Sequence, residues 1–273
     1  MKTILLLILG TFLFTLPACN YFRSDHPQAE LPGEGGATGM TDKSILNFSV
    51  ATDSNLVRSK KQFSLIYTTG DLSMYVEKYS SQDTLLLYKT YTANGNISRT
   101  VKSYYFKNDS LILVKERSQV MNEAAEVYKD TRTYLRNNVT FRIDSRTASS
   151  AAALATLPYL QVQPPENKYP DENYASDIKS IKDAIAGTDK FELVFDNITT
   201  YPEAWYITLK SKNPNNYKAS IMVNKKDVFI DSLLNSPALF KDEKLKLNWK
   251  IEDKEAIYVP VDETKTSASG LNK

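Results

Sequence analysis

Short runs of alternating apolar and polar residues, separated by Asn-containing turns, constrain this chain's fold more than any other feature. Successive side chains on a strand point to opposite faces, so alternation buries one face and leaves the other in water. Val139-Thr140-Phe141-Arg142-Ile143-Asp144 keeps the pattern unbroken. It follows Tyr134-Leu135-Arg136-Asn137-Asn138, a segment echoed by Tyr105-Phe106-Lys107-Asn108-Asp109 and by Tyr91-Thr92-Ala93-Asn94-Gly95. Asn-Asn, Asn-Asp and Asn-Gly tolerate the positive φ that a two-residue hairpin needs. Tyr67-Thr68-Thr69-Gly70-Asp71 reads as a degenerate earlier copy. Residues 58–147 are therefore expected to form an antiparallel β domain, a meander of hairpins. The polar stretch from Glu116 to Asp130 is expected as a loop or as an unusually long hairpin end.

The Tyr-turn-apolar unit resembles the hairpins of MORN-type repeat arrays, without that motif's glycines, so no function is carried over. Tyrosines crowd this region. An aromatic sheet face can bind sugar or peptide, but Tyr also suits strands and packs across neighbouring ones, which is the simpler reading.

Residues 148–175 form an Ala- and Pro-rich connector. Ala148 to Leu157 can make a short helix, and Pro158, Pro164, Pro165 and Pro170 then break regular structure. Residues 176–263 open with a helix carrying Ile178, Ile181 and Ile185 on one face, with Gly187 past its end. Alternating runs follow at Phe191 to Phe195, Trp205 to Leu209, Tyr217 to Val223, Leu245 to Ile251 and Ile257 to Val259. Asp227 to Asn235 reads as a helix stopped by Pro237. Three strands, a helix and two strands is an order that resembles the OB-fold, a small five-stranded barrel that binds oligonucleotides, oligosaccharides or proteins. The fold class expected is thus mainly β (α+β), an N-terminal meander plus an OB-like barrel with short helices.

Absences narrow the chemistry. The chain has one Cys, Cys19, and one His, His26, both close to the N-terminus. A Ser-His-Asp triad or a multi-His zinc site cannot be assembled in the body. Gly70, Gly95 and Gly187 are the sole glycines between the leader and the tail, so no Gly-rich phosphate loop is available. Neither metal nor cofactor is expected. Residues 190–262 contain no Arg and balance acids with bases, which argues against nucleic acid.

The first residues carry an address. Lys2 precedes an apolar run from Ile4 to Leu16, which ends at Pro17-Ala18-Cys19. A charged start, a short apolar core and a small residue before a cut site make a secretory signal peptide. At roughly 15 residues the core is short of the ~20 that a membrane-spanning helix needs. The segment, residues 1–18 plus Cys19, resembles the lipobox of bacterial lipoproteins, in which that Cys is acylated and becomes the first mature residue. Pro17 departs from the residue usual there. Asn20 after the anchor, by the same resemblance, favours the outer membrane. Residues 19–57, with Pro27, Pro32 and four closely spaced glycines, are expected to be a flexible tether, and 264–273 a disordered tail. Asp83-Thr84-Leu85, Asp109-Ser110-Leu111 and Asp231-Ser232-Leu233 resemble the acceptor of O-glycosylation in Bacteroidota.

Ser176-Asp177-Ile178-Lys179 has the spacing of a serine-lysine acyl-transfer enzyme but lacks its companion elements. Helix capping explains it better. Paired carboxylates remain the open acid–base route, and Glu203, between Tyr201-Pro202 and Trp205, has no identifiable second acid.

The reading is a lipid-anchored cell-envelope protein, a non-enzymatic binding or scaffolding module for protein or glycan. The alternatives are a carboxylate-dependent glycan hydrolase and an inhibitor of an envelope-attacking enzyme. Binding is expected at Tyr201, Pro202 and Glu203, in loops Asn197 to Ala204 and Lys212 to Asn216. Trp205 and Trp249 are expected in the core.

Overall fold

The computed structural model describes residues 39–122, 125–163, 174–212 and 217–260. Residues 1–38, with Cys19, the segment expected as signal peptide and the first part of the expected tether, lie outside the described residues, as do part of the expected connector and the expected tail. Within them the protein is mainly β, built on an antiparallel-dominated sheet that is not closed. The strands of the first half are β1 (Lys60–Phe63), β2 (Tyr67–Thr69), β3 (Leu72–Ser81), β4 (Thr84–Asn94), β5 (Ser98–Lys107), β6 (Ser110–Met121), β7 (Glu126–Arg136), β8 (Val139–Ala148) and β9 (Leu160–Val162). From β3 to β9 each strand pairs antiparallel with the next, while β1 and β2 both pair with β3.

Gln82-Asp83, Asn108-Asp109 and Asn137-Asn138 turn the chain at one end of this meander. All have positive φ, between 47° and 63°, which matches type I′ hairpin turns. Just inside each turn the register slips, at Tyr79/Ser80, Tyr105/Phe106 and Tyr134/Leu135. Such bulges increase local twist and re-aim the neighbouring side chains. Their repetition leaves Tyr79, Tyr105 and Tyr134 in one buried cluster.

This corrects the repeat read from sequence. Its third member is Tyr79 to Asp83, whereas the turn after Tyr91 lies at the opposite end of the sheet. There Gly95, at φ +50°, donates its N–H to the Asp71 carbonyl at 2.8 Å, tying two turns together. Within Glu116 to Asp130, residues up to Met121 continue β6 and those from Glu126 begin β7, so the described part is a long hairpin end rather than a loop. Its charges are matched across strands, Lys102 with Glu116 at 3.1 Å and Arg117 with Asp130 at 3.2 Å.

A second correction concerns the tether over 19–57. Asp42–Asn55 is a helix, α1, capped by Thr41, whose hydroxyl accepts from the Ser44 N–H. Its buried positions are Ile45, Ser49 and Thr52. Ser49 and Thr52 donate to the carbonyls of Leu46 and Phe48, so their hydroxyls cost little to bury. The buried stripe is helical in spacing but mostly hydroxylic in chemistry. It therefore leaves no apolar period to read.

Beyond β8, Ser150 caps the short helix α2 (Ala151–Thr156). Helix α3 (Tyr174–Ala186) ends before Gly187, at φ +61°. Then come β10 (Leu193–Thr200), β11 (Trp205–Ser211), β12 (Lys218–Val223), α4 (Val228–Asn235), β13 (Trp249–Glu252) and β14 (Glu255–Tyr258). β12 is the junction of the molecule. It pairs with β11, with β2 at Lys218↔Thr68, and in parallel with β14. One sheet thus runs through both halves, and one apolar cluster joins Tyr67, Val76 and Tyr104 to Ile181, Phe195 and Ile221. The segments expected as separate domains, 58–147 and 176–263, share this sheet and core.

The last third is ordered β10-β11-β12-β14-β13. No ladder between β10 and β13 closes it among the described residues. Instead Phe195 accepts from Asp242 and donates to Glu243, in the segment before β13. Leu245 and Leu247, expected in a strand, pack on the core from irregular chain.

Candidate functional site

Strict alternation on β11 and β12 divides their side chains between two environments. Ile207, Leu209, Ala219, Ile221 and Val223 face the core. Tyr206, Thr208, Ser220 and Met222 point the other way and line an open cleft of about 710 Å³. Pairing across strands sets them in rows, with Tyr206 between Thr199 and Met222, and Thr208 beside Ser220. A bulge after Phe195 shifts β10, so that Ile198 packs on the core while Thr199 joins the cleft.

The β10–β11 turn forms one wall. Its backbone is fixed by the Tyr201 N–H donating to the Ala204 carbonyl at 2.9 Å. Tyr201, Pro202 and Glu203 all line the cleft. The Tyr201 ring is 56% exposed and meets Tyr206 edge-on, with centroids 5.5 Å apart at 88°. The Tyr206 hydroxyl lies 3.3 Å from the Met222 sulfur, which orients that ring as well. Two crossed aromatic rings therefore border a floor of hydroxyls, with the Asn224 amide at its edge. Glu203 is the one carboxylate among the described lining residues, and that lining includes no Lys or Arg.

The turn expected to bind thus lines the cleft. Of the loop Lys212 to Asn216, residues 213–216 lie outside the described residues; next to it the Ser211 N–H donates to the Tyr217 carbonyl at 2.8 Å. Trp205 is half-buried against the core with the Lys226 ammonium 4.2 Å from its ring centroid. Trp249 opens β13 instead of sitting mid-strand. It is half-buried and donates its indole N–H to the Ser64 carbonyl at 3.3 Å. Tyr206, Thr208, Ser220 and Met222 were not singled out from sequence, although the alternation that assigned their neighbours to the core also assigns them outward. Among the described residues no group of three or more His, Cys, Asp or Glu side chains is placed to hold a metal ion.

Comparison with protein-family models, curated proteins and solved structures finds no match.

Proposed function

We propose that the protein is a lipid-anchored envelope module that binds a neutral glycan in the cleft over β10, β11 and β12. The observation that carries this reading is the cleft's lining. Crossed Tyr201 and Tyr206 rings offer apolar faces with polar tips, and Thr199, Thr208, Ser220 and Asn224 supply donors and acceptors for sugar hydroxyls. A lining without Lys or Arg gives a phosphate backbone nothing to neutralise it, so nucleic acid is not the ligand. Binding is favoured over glycan hydrolysis because the hydrolytic mechanism uses two carboxylates, and among the described residues this cleft offers Glu203 alone.

The order β10-β11-β12-β14-β13, with β12 and β14 parallel and α4 between β12 and β13, supports an OB-like arrangement of residues 176–263. Folds of that kind bind across one open face and its flanking loops. The anchor is acylated Cys19, and the membrane is the outer one, following the lipobox-like segment and Asn20. Pull-down from native envelope with the full acylated chain tests the reading. Wild type is expected to recover glycan and Tyr201→Ala to lose it. Recovery of a protein partner without glycan, or equal glycan recovery by both proteins, would sink it.

A further inference from the structure

We propose that a second, separate site on the meander, between the end of α1 and the strands β4 to β8, binds a small phosphoryl-bearing anion. The site is a cavity of about 420 Å³ into which Lys89, Lys115, Arg117, Arg132 and Arg146 project, with the carboxylates Asp53 and Asp130. Register explains the gathering. Lys89, Ser103, Lys115 and Arg132 are successive cross-strand neighbours, and so are Val101, Arg117, Asp130 and Arg146. Lys115 and Arg132 thus stand directly opposite each other, an arrangement of like charges that a sheet normally avoids.

The carboxylates at hand are already engaged. Asp53 binds Lys115 at 3.2 Å and accepts from the Tyr105 hydroxyl. One oxygen of Asp130 binds both Arg117, at 3.2 Å, and Arg146, at 2.9 Å. Asp144, opposite Arg132, is held by Tyr134 and Arg142. The Lys89 ammonium, cross-strand from Glu77, lies 5.7 Å from the Tyr79 ring, and the Arg132 guanidinium lies 3.5 Å from the Tyr159 ring and also interacts with Tyr134. The Nε atoms of Arg132 and Arg146 are buried without a hydrogen-bond partner among the described residues.

Surplus positive charge partly removed from water is costly unless an anion completes it. Burial also lowers the pKa of Lys115 despite its contact with Asp53, and Arg132 and Lys89 push it the same way. With five cations against two carboxylates, a dianion balances the site better than a single carboxylate does. Guanidinium forks and ammonium groups are the usual donors to phosphoryl oxygens. A cavity of this size holds a small phosphorylated molecule or a lipid headgroup.

The test titrates the full chain in detergent with inorganic phosphate at constant ionic strength, following heat and thermal stability. A parallel arm uses phosphatidylcholine vesicles with and without phosphatidate. The expected result is saturable binding that Arg132→Gln and Lys89→Gln each weaken at least about tenfold, the loss of one charge-assisted contact. Response to phosphate alone assigns a soluble ligand, and phosphate-displaceable binding to phosphatidate assigns a headgroup. Lys89→Gln keeps the test valid if Arg132→Gln perturbs folding, because the Lys89 ammonium sits 5.7 Å from its ring whereas the Arg132 guanidinium sits 3.5 Å from Tyr159. No saturable response in either arm, or an unchanged one in the variants, overturns the proposal.

Discussion

The Tyr105 hydroxyl donates to both carboxylate oxygens of Asp53, at 2.9 and 3.0 Å, and so ties the last turn of α1 to the centre of the meander. The same carboxylate takes the Lys115 ammonium. Burial, reinforced by Asp53, raises the Tyr105 pKa, which keeps the hydroxyl protonated as a donor. Tyr105→Phe is therefore expected to cost about 1–2 kcal/mol of stability while leaving the fold intact. Denaturant unfolding measures it. A change within error would mean that the Tyr105–Asp53 hydrogen bond does not hold α1 in place.

Ile45 carries that apolar packing. It is 1% exposed and sits in the cluster with Tyr79, Tyr105 and Tyr134. Ile45→Ala is expected to destabilise by about 2–5 kcal/mol. Limited proteolysis should then cut first within 42–55, since the helix loses its one large buried side chain.

Acid stability should depend on Asp130. Burial by itself would raise its pKa, but Arg146, Tyr159 and Arg117 together lower it below the ordinary carboxylate value. A carboxylate with a depressed folded pKa contributes stability above its unfolded pKa of about 3.9, and that contribution is lost as pH falls through the lower folded value. Asp130→Asn should thus cost about 3 kcal/mol at neutral pH, leaving two guanidiniums without their counter-ion. Once the pH has fallen below that lowered folded value, the variant and wild type should converge. Urea midpoints across that range decide the matter, and a gap that persists in acid would contradict the assignment.

Trp249→Ala and Tyr201→Ala separate core from site. Trp249 is half-buried and loses an indole hydrogen bond to Ser64, so its truncation is expected near about 3 kcal/mol, the lower end for a core Trp. Tyr201 is exposed in a turn held by backbone, so Tyr201→Ala should change stability by less than about 0.5 kcal/mol. Thermal melts of the two proteins give the comparison.

Much of this architecture was legible because its signals are local. Asn108-Asp109 and Asn137-Asn138 announce their turns, Gly187 its helix end, and Asp227 with Pro237 the two ends of α4. What was hidden had no local signal. Ser49 and Thr52 bury hydroxyls satisfied within their own helix, so α1 read as a polar tether. Gln82-Asp83 turns the chain without Asn or Gly, so the repeat was assigned out of phase. The join between β2 and β12 brings Thr68 beside Lys218, a pairing that periodicity cannot foresee. The same limit applies to the sites. Tyr201, Pro202 and Glu203 are consecutive, so one turn brings them into view, whereas the basic cavity draws its residues from five strands and needs the register before it can be seen.

The claim of a glycan cleft is tested most directly by residue-resolved NMR on the full chain in detergent, titrated with neutral oligosaccharides released from the native envelope. Saturable amide shifts are predicted at Thr199, Tyr206, Thr208, Ser220 and Met222, abolished in Tyr201→Ala and retained in Arg132→Gln. Shifts confined to the meander, or shifts at the cleft that persist unchanged in Tyr201→Ala, would contradict it.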